Sequence, residues 1–543
     1  MGGVVLENLS NKKLSILAVS LLLILIVFFL IGGLIAPAPS NVMNMVTTKC
    51  HDITVDVKPK SWYIPRGPAG CDAVDDFDDP IIYEKHVDTR MIVFALWIPY
   101  PRDHKQLDMS RWFQNMLTVL QMDIEHRSTN PISENATMKM EVRLGYRNKN
   151  DNETDWKELI TTSINRPLHC EKNGTKDGEQ YKCDLVSFFE LGSVHYDYYL
   201  INLRLPVYPQ KQTNQGLGTI KDIWIITIFQ NGGFTKVWFA LKTTMFPVVL
   251  TILVWFWRRI KLLSREPNLL ERTLLALGII LSIMNCPVEW FTIWFDLPWM
   301  TILTDVRQGA FYATLMSFWM IFAGEHIMDS IPKNSLSRYK IHLSLVVFGC
   351  LCLFIFEMCE KGMQLANPFY TIWVTETGAH LALAFIILAG MAACTYFLFL
   401  SYMIFKVFRN ISAKKTALPR MSNIRRKFYM GLIFRFKFLM VLTLLCAALT
   451  TIFFIISQVS EGQWKWGDEG ISLEYSSAFL TGVYGMWNVY VIGLLSLYAP
   501  SHKQYTNADI NNSDGSQEEE VQLTQIPTEN SALSAYVTKE AED

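Results

Sequence analysis

The chain has 543 residues, half of them hydrophobic and only 18% charged, with a net charge of -1. So low a charged share in so long a chain argues against an ordinary soluble globular protein, and the absence of a basic surplus leaves no case for a nucleic-acid partner. Charge is segregated by region: 406–437 holds ten Lys or Arg and no acid, whereas 499–543 holds nine acids and two lysines. The first pattern fits a cytosolic loop beside anionic lipid, and the second a solvated acidic tail.

Eight apolar runs are long enough to cross a bilayer, which takes about 20 residues in a helix. They cover 14–36, 240–260, 270–292, 303–324, 341–358, 380–405, 435–457 and 477–498. The first is an uncleaved signal anchor on this reading: its 23 uncharged residues exceed a usual signal-peptide core, and prolines crowd the only small-residue cleavage site. Lys12 and Lys13, then Arg258, Arg259, Lys261 and Arg265, and finally the basic 406–437 loop all fall on one side if eight spans are counted. The positive-inside rule then puts both termini in the cytosol and 37–236 in the lumen or exterior.

Residues 37–236 carry four cysteines, Cys50, Cys71, Cys170 and Cys183. In an oxidising compartment an even number implies two disulfides; three pairings are open, and the local one, Cys50–Cys71 with Cys170–Cys183, is preferred. Sequons at Asn135, Asn152 and Asn173 mark three candidate N-glycosylation sites. The apolar run 91–98, alternation at 120–124 and 138–144, and the runs 198–206 and 220–229 read as strands. Six or seven such strands without amphipathic helices between them predict an antiparallel β-sandwich or barrel.

No G-x-S-x-G, Walker or H-E-x-x-H pattern occurs, so neither an enzyme nor a cofactor or metal site is expected. Charges within spans are more informative. Glu289, Asp305 and Arg307 share a depth near the lumenal ends of two spans and are expected to form a polar cluster or ion pair. Aromatic residues Trp290, Trp294, Trp299, Phe369, Tyr370, Trp373, Trp464 and Trp466 are candidate rim elements around a lumenal binding surface, with interfacial anchoring as their ordinary alternative. Tyr429-Met-Gly-Leu432 fits the Tyr-x-x-hydrophobic signal read by clathrin adaptors, with Tyr429 and Leu432 as its anchors.

Several longer segments carry a family resemblance: Asn231-Gly-Gly-Phe-Thr-Lys-Val-Trp-Phe-Ala240, Pro287-Val-Glu-Trp-Phe291, Asn367-Pro-Phe-Tyr370, Gly431-Leu-Ile-Phe-Arg-Phe-Lys-Phe-Leu-Met440, Trp464-Lys-Trp-Gly467 and Leu497-Tyr-Ala-Pro-Ser-His-Lys503. Together they closely resemble the Wntless (Evi/Sprinter) family, from the first span to just past the eighth. The resemblance implies that the last seven spans form a bundle like that of G-protein-coupled receptors, capped by a lumenal β-sandwich. It implies a cargo receptor for acylated Wnt proteins that works in the ER, Golgi, endosomes and cell membrane and recycles through clathrin adaptors and retromer. It also gives the 429–432 motif an endocytic role and suggests that 539–543 is a retrieval signal. A G-protein-coupled receptor and a membrane acyltransferase are the rival readings. No Asp-Arg-Tyr triplet follows any span, and neither His342 nor His380 has an evident intramembrane partner.

Overall fold

A computed structural model describes residues 5–9, 11–52, 62–65, 70–74, 82, 87–100, 107–172, 176–208, 210, 213–263, 265–327, 336–416, 433–435, 437–450, 452 and 477–501. A short helix α1 (Val5–Asn8) precedes α2 (Asn11–Leu30), which runs on through a π-turn to Ile35. Then come twelve strands among the described residues: β1 (Ser40–Val46), β2 (Thr48–His51), β3 (Asp72–Ala73), β4 (Ile92–Ile98), β5 (Met116–Glu125), β6 (Thr137–Arg147), β7 (Lys157–Pro167), β8 (Cys170–Glu171), β9 (Lys182–Cys183), β10 (Val186–Leu191), β11 (Tyr198–Arg204) and β12 (Thr219–Gln230). The bundle follows, with α3 (Gly232–Lys261), α4 (Leu269–Asn285), α5 (Met300–Ile327), α6 (Lys340–Gln364), α7 (Glu376–Thr416), α8 (Ile433–Thr450) and α9 (Ser477–Leu497).

The strands build a four-stranded sheet, β1-β12-β5-β10, a six-stranded sheet, β3-β2-β4-β11-β6-β7, and a β8-β9 pair. Every paired ladder is antiparallel. Inward residues of both sheets meet in one core that includes Leu96, Leu120, Met140, Leu144, Ile201 and Ile225. Strand β4 is buried on both faces, which explains why its sequence is an unbroken apolar run. One face meets the main core, and the other is covered by clusters around Trp97 and Cys50. The strand count exceeds the six or seven expected. The additional long strands β1 and β7 are sheet edges with mostly wet faces, so their sequences lack a strong apolar signal. Disulfides join Cys50 to Cys71 and Cys170 to Cys183, pinning β2 beside β3 and β8 beside β9.

Among the described residues, seven helices are both long and apolar enough to cross a membrane: Lys12–Ile35, Gly232–Lys261, Leu269–Trp294, Lys340–Gln364, Glu376–Asn410, Ile433–Thr450 and Ser477–Leu497. Helix α5, over the expected fourth span, has 28 residues but falls below them in apolarity. It packs inside the bundle, burying Phe311, Leu315, Phe318, Trp319 and Phe322, so its surroundings are largely protein. The expected third span, 270–292, is interrupted. Pro287 lacks an amide proton and biases Cys286 to an extended backbone, so α4 stops at Asn285 and a separate turn spans 288–294.

Among the described residues, four contacts hold the sandwich on the bundle. Strand β12 passes into α3 through Asn231 alone, whose side chain caps the helix by accepting from the Gly233 N–H at 2.8 Å. Asn231 Nδ2 also donates to Asn41 Oδ1 at 3.1 Å, tying the cap to β1. The first span enters the sandwich at Pro37, whose carbonyl accepts from the Ser477 hydroxyl at the start of α9. The other two, the loop after α6 and the turn after Pro287, belong to the site.

Candidate functional site: the junction of sandwich and bundle

Charges expected to form one cluster form two. Glu289, in the turn after Pro287, accepts from Lys242 Nζ of α3 at 2.6 Å and is also paired with the Arg307 guanidinium of α5. All three side chains are 6–7% exposed. Arg307 also donates to the Cys286 carbonyl at 2.9 Å, satisfying an acceptor freed where the helix breaks. Asp305 is not part of this group. Two residues along a helix correspond to a rotation of about 200°, so Asp305 and Arg307 leave α5 on opposite faces. Asp305 instead accepts from Lys361 Nζ of α6 at 2.7 Å, and Lys361 also pairs with Glu357 at 3.1 Å. Sequence reasoning missed Lys242 and Lys361. Each is a single charge near the end of an apolar helix, and that position was the available signal.

The triad sits directly beneath a sandwich contact. The Thr292 hydroxyl lies 2.9 Å from Gln114 Oε1 and 2.7 Å from the Glu289 carbonyl. Arg111 Nη1 donates to the Ile293 carbonyl at 3.1 Å. Trp112 packs against Trp290 and Phe239, with ring centroids 5.8 and 5.9 Å away. Trp290 donates from Nε1 to Thr243 Oγ1 at 3.0 Å, so this rim candidate is part of the joint. Trp294 and Trp299 are 59% and 47% exposed and remain open to lipid or ligand.

Phe369 departs furthest from its expected role. It is 1% exposed and belongs to the sandwich core, between Phe188 and Phe189 with ring centroids 5.3 Å from each. A loop of the bundle therefore plugs the sandwich, and Phe369 offers no rim surface. Two hydrogen bonds lock the plug: Glu190 N–H donates to the Pro368 carbonyl at 2.9 Å, and Arg166 Nη2 to the Phe369 carbonyl at 2.6 Å. Arg166, at the edge of the six-stranded sheet, also donates to the Ser187, Asn165 and Phe188 carbonyls. Burial pulls its guanidinium down to about 10. Tyr370 and Trp373 are half-buried and pack beside Phe356 and Ile372 rather than in the sandwich. Trp464, Trp466, Tyr429, Leu432 and Asn173 lie outside the described residues, whereas Asn135 and Asn152 occupy exposed turns of the sandwich.

Beside the plug, a cavity of ≈ 180 Å³ opens between the two parts of the molecule, walled by β7, β10 and β11 on one side and the ends of α5 and α6 on the other. Deeper in the bundle, hydrogen bonds link helices that a purely apolar interface would leave free to slide. Asn285 Nδ2 donates to Asn488 Oδ1 at 2.6 Å, and Trp319 Nε1 to the Tyr490 hydroxyl at 2.9 Å.

These features define an integral membrane protein in which an antiparallel β-sandwich is fixed, by cap, plug and ion-paired ledge, on one end of a helical bundle. Two family models cover most of the chain: "Wntless, GOLD domain" over residues 48–230 and "Wntless-like, transmembrane domain" over 231–502. The "Protein wntless homolog" of Rattus norvegicus is 50% identical over 532 residues, 96% of each chain. "Protein wntless homolog A" of Xenopus laevis is 49% identical over 529 residues, again 96% of each. "Protein wntless" of Drosophila mojavensis is 47% identical over 568 residues and the whole of both chains. The chain belongs to the Wntless family.

Proposed function

We propose that this protein is a carrier for acylated Wnt proteins in the cells that secrete them. Family membership along nearly the whole chain is the observation that carries this reading. The charge pattern supports a lumenal sandwich, both termini in the cytosol and eight spans, α5 included. The carrier collects its cargo in the ER or Golgi, escorts it to the cell surface and returns through endosomes by clathrin adaptors and retromer, with Tyr429 and Leu432 as the endocytic anchors.

The physical task is sheltering a fatty chain. Burying about fourteen methylenes is worth on the order of 10 kcal/mol, enough to drive a free acylated protein into membranes or aggregates. Transfer from bilayer to bundle exchanges one apolar medium for another, so selectivity comes mainly from contacts with the protein part of the cargo. The bundle takes the acyl chain, while the sandwich and adjoining loops take the Wnt surface.

The test is co-purification of the full chain with a wild-type Wnt and with a variant lacking the acylated serine. Strong capture of the first and weak capture of the second is expected. Equal capture would remove the lipid from the mechanism, and capture of neither would end the carrier reading.

A further inference from the structure

The cavity beside the Phe369 plug has a chemistry of its own. Two carboxylates line it, Glu190 of β10 and Asp296 of the loop before α5. Neither forms an ion pair among the described residues; Glu190 accepts only from Gln364 Nε2 at 3.3 Å. Lys361 is in the same wall, but its ammonium is already shared between Asp305 and Glu357. Arg111, the nearby guanidinium, donates to the Ile293 carbonyl. The wall therefore carries a negative excess with no cation committed to it.

Aromatic and apolar surfaces complete the pocket. Tyr196 lines it and stacks on Tyr146 with centroids 3.8 Å apart. Burial, then the charge of Asp296, pushes the Tyr196 phenol up to about 12. Leu159 and Ile160 of the edge strand β7 supply an aliphatic side. Tyr199, 1% exposed, also lines the cavity. Its hydroxyl oxygen accepts from the Tyr196 N–H at 3.3 Å and also faces the His195 backbone N–H, and no acceptor for its own proton is found among the described residues. A buried hydroxyl proton without an acceptor calls for one from outside.

We propose that this cleft seats a lysine or arginine side chain of the protein cargo. The charged head meets Asp296 and Glu190 over the tyrosine faces, and the stem lies along Leu159 and Ile160. The cargo's main chain supplies the carbonyl for the Tyr199 proton. An anionic group is repelled by both carboxylates, and a bare metal ion leaves the tyrosine proton unused. The site rests on the carrier reading, and it places one contact of the cargo's protein part where sandwich and bundle meet.

The experiment uses the full chain in detergent with an acylated Wnt as probe. Asp296 is exposed and makes no hydrogen bond or ion pair among the described residues, so its substitution leaves folding intact, as an unchanged melting temperature verifies. Asp296→Lys is expected to weaken capture about tenfold and to flatten its dependence on salt, with Asp296→Asn intermediate. Carbodiimide coupling should join Asp296 of the wild type to a cargo lysine, as read by peptide mass spectrometry; no coupled peptide is expected if the head is an arginine. Capture by Asp296→Lys equal to wild type, with the same salt dependence, overturns the site and leaves the carrier reading standing. If the wild type captures no Wnt at all, the carrier reading fails and the site falls with it.

Discussion

Replacing Phe369 by alanine isolates the energetics of the plug. The side chain is 1% exposed, held between two phenylalanines, and belongs to a loop 180 residues downstream of its neighbours. Truncating a buried Phe to Ala typically costs about 3–5 kcal/mol, of which transfer and residual cavity are the main parts. The ring contacts with Phe188 and Phe189 each add about 0.5–1.5 kcal/mol beyond burial, and are included in that range. The flanking hydrogen bonds from Glu190 N–H and Arg166 depend on the ring for their geometry, so they weaken with it. A loss of about 4 kcal/mol multiplies the undocked population by about a thousand. Hydrogen exchange of the full chain in detergent reads this directly. Amides of β10 should exchange far faster in Phe369→Ala, while those of α9 keep their protection. Protection of β10 within about 0.5 kcal/mol of wild type would show that the ring is not what holds the loop, and the argument from burial would fail.

Glu289→Leu leaves the Lys242 and Arg307 charges buried without their anion, and breaking such a pair costs about 3–5 kcal/mol; thermal unfolding in detergent should report it, and a loss below about 1 kcal/mol would mean that water reaches the triad. A Cβ on Gly485 would meet Phe28 Cγ at 2.4 Å, so Gly485→Leu should destabilise the contact between α2 and α9 by about 1–3 kcal/mol. Phe28→Ala in the same chain should recover part of that loss, and a purely additive double variant would refute the steric reading. His195, held below its ordinary value by burial and then by Arg111, should make stability fall in acid. Above the unfolded value of about 6.5 both states are neutral; below it the unfolded chain takes up a proton first, so stability falls until the pH reaches the lower folded value. Melting temperatures measured between pH 7.5 and 5.5 should fall more in the wild type than in His195→Gln, and parallel curves would remove His195 from the account.

The parts of this fold that could be read from sequence are those in which one local property decides. Among the described residues, length and apolarity located helices at seven of the expected spans, because a bilayer-facing helix must be apolar along its length. Alternation found β5 and β6, and the apolar run 220–229 found β12. What failed depended on partners distant in sequence. Strand β7 was not among the strands read from sequence because its edge position leaves most of its residues wet, and its pairing with β6 makes it a strand. Within the candidate span Leu269–Trp294, the α-helix α4 stops seven residues short of the expected end at 292, because Pro287 outweighs the surrounding hydrophobicity. Asp305 was grouped with Arg307 by depth, although helical rotation separates them. Phe369 could not be told from any interfacial aromatic residue, since nothing in Asn367-Pro-Phe-Tyr370 reveals that another domain closes over it.

These contacts also bear on how such a carrier would work. A linker of several residues would let a sandwich and a bundle move independently, as most domain pairs do. Here Asn231 is simultaneously the last residue before α3, its cap and a partner of Asn41, so motion of the sandwich must tilt α3 or break the cap. Lys242, on that same helix, pairs with Glu289, and the Glu289 turn carries Thr292, which touches Gln114 of the sandwich. The path closes on itself, from sandwich to helix to ion pair to turn and back to sandwich. A loop of this kind resists small displacements, because no member moves without disturbing a buried charge or a capped helix end. Cargo bound across the junction would therefore meet a preformed surface, and release would require either exchange of the cargo's own contacts or rupture of this ring. The triad is the costliest step in such a rupture, which makes Glu289 the residue where a change in cargo release should separate most clearly from a change in cargo recognition.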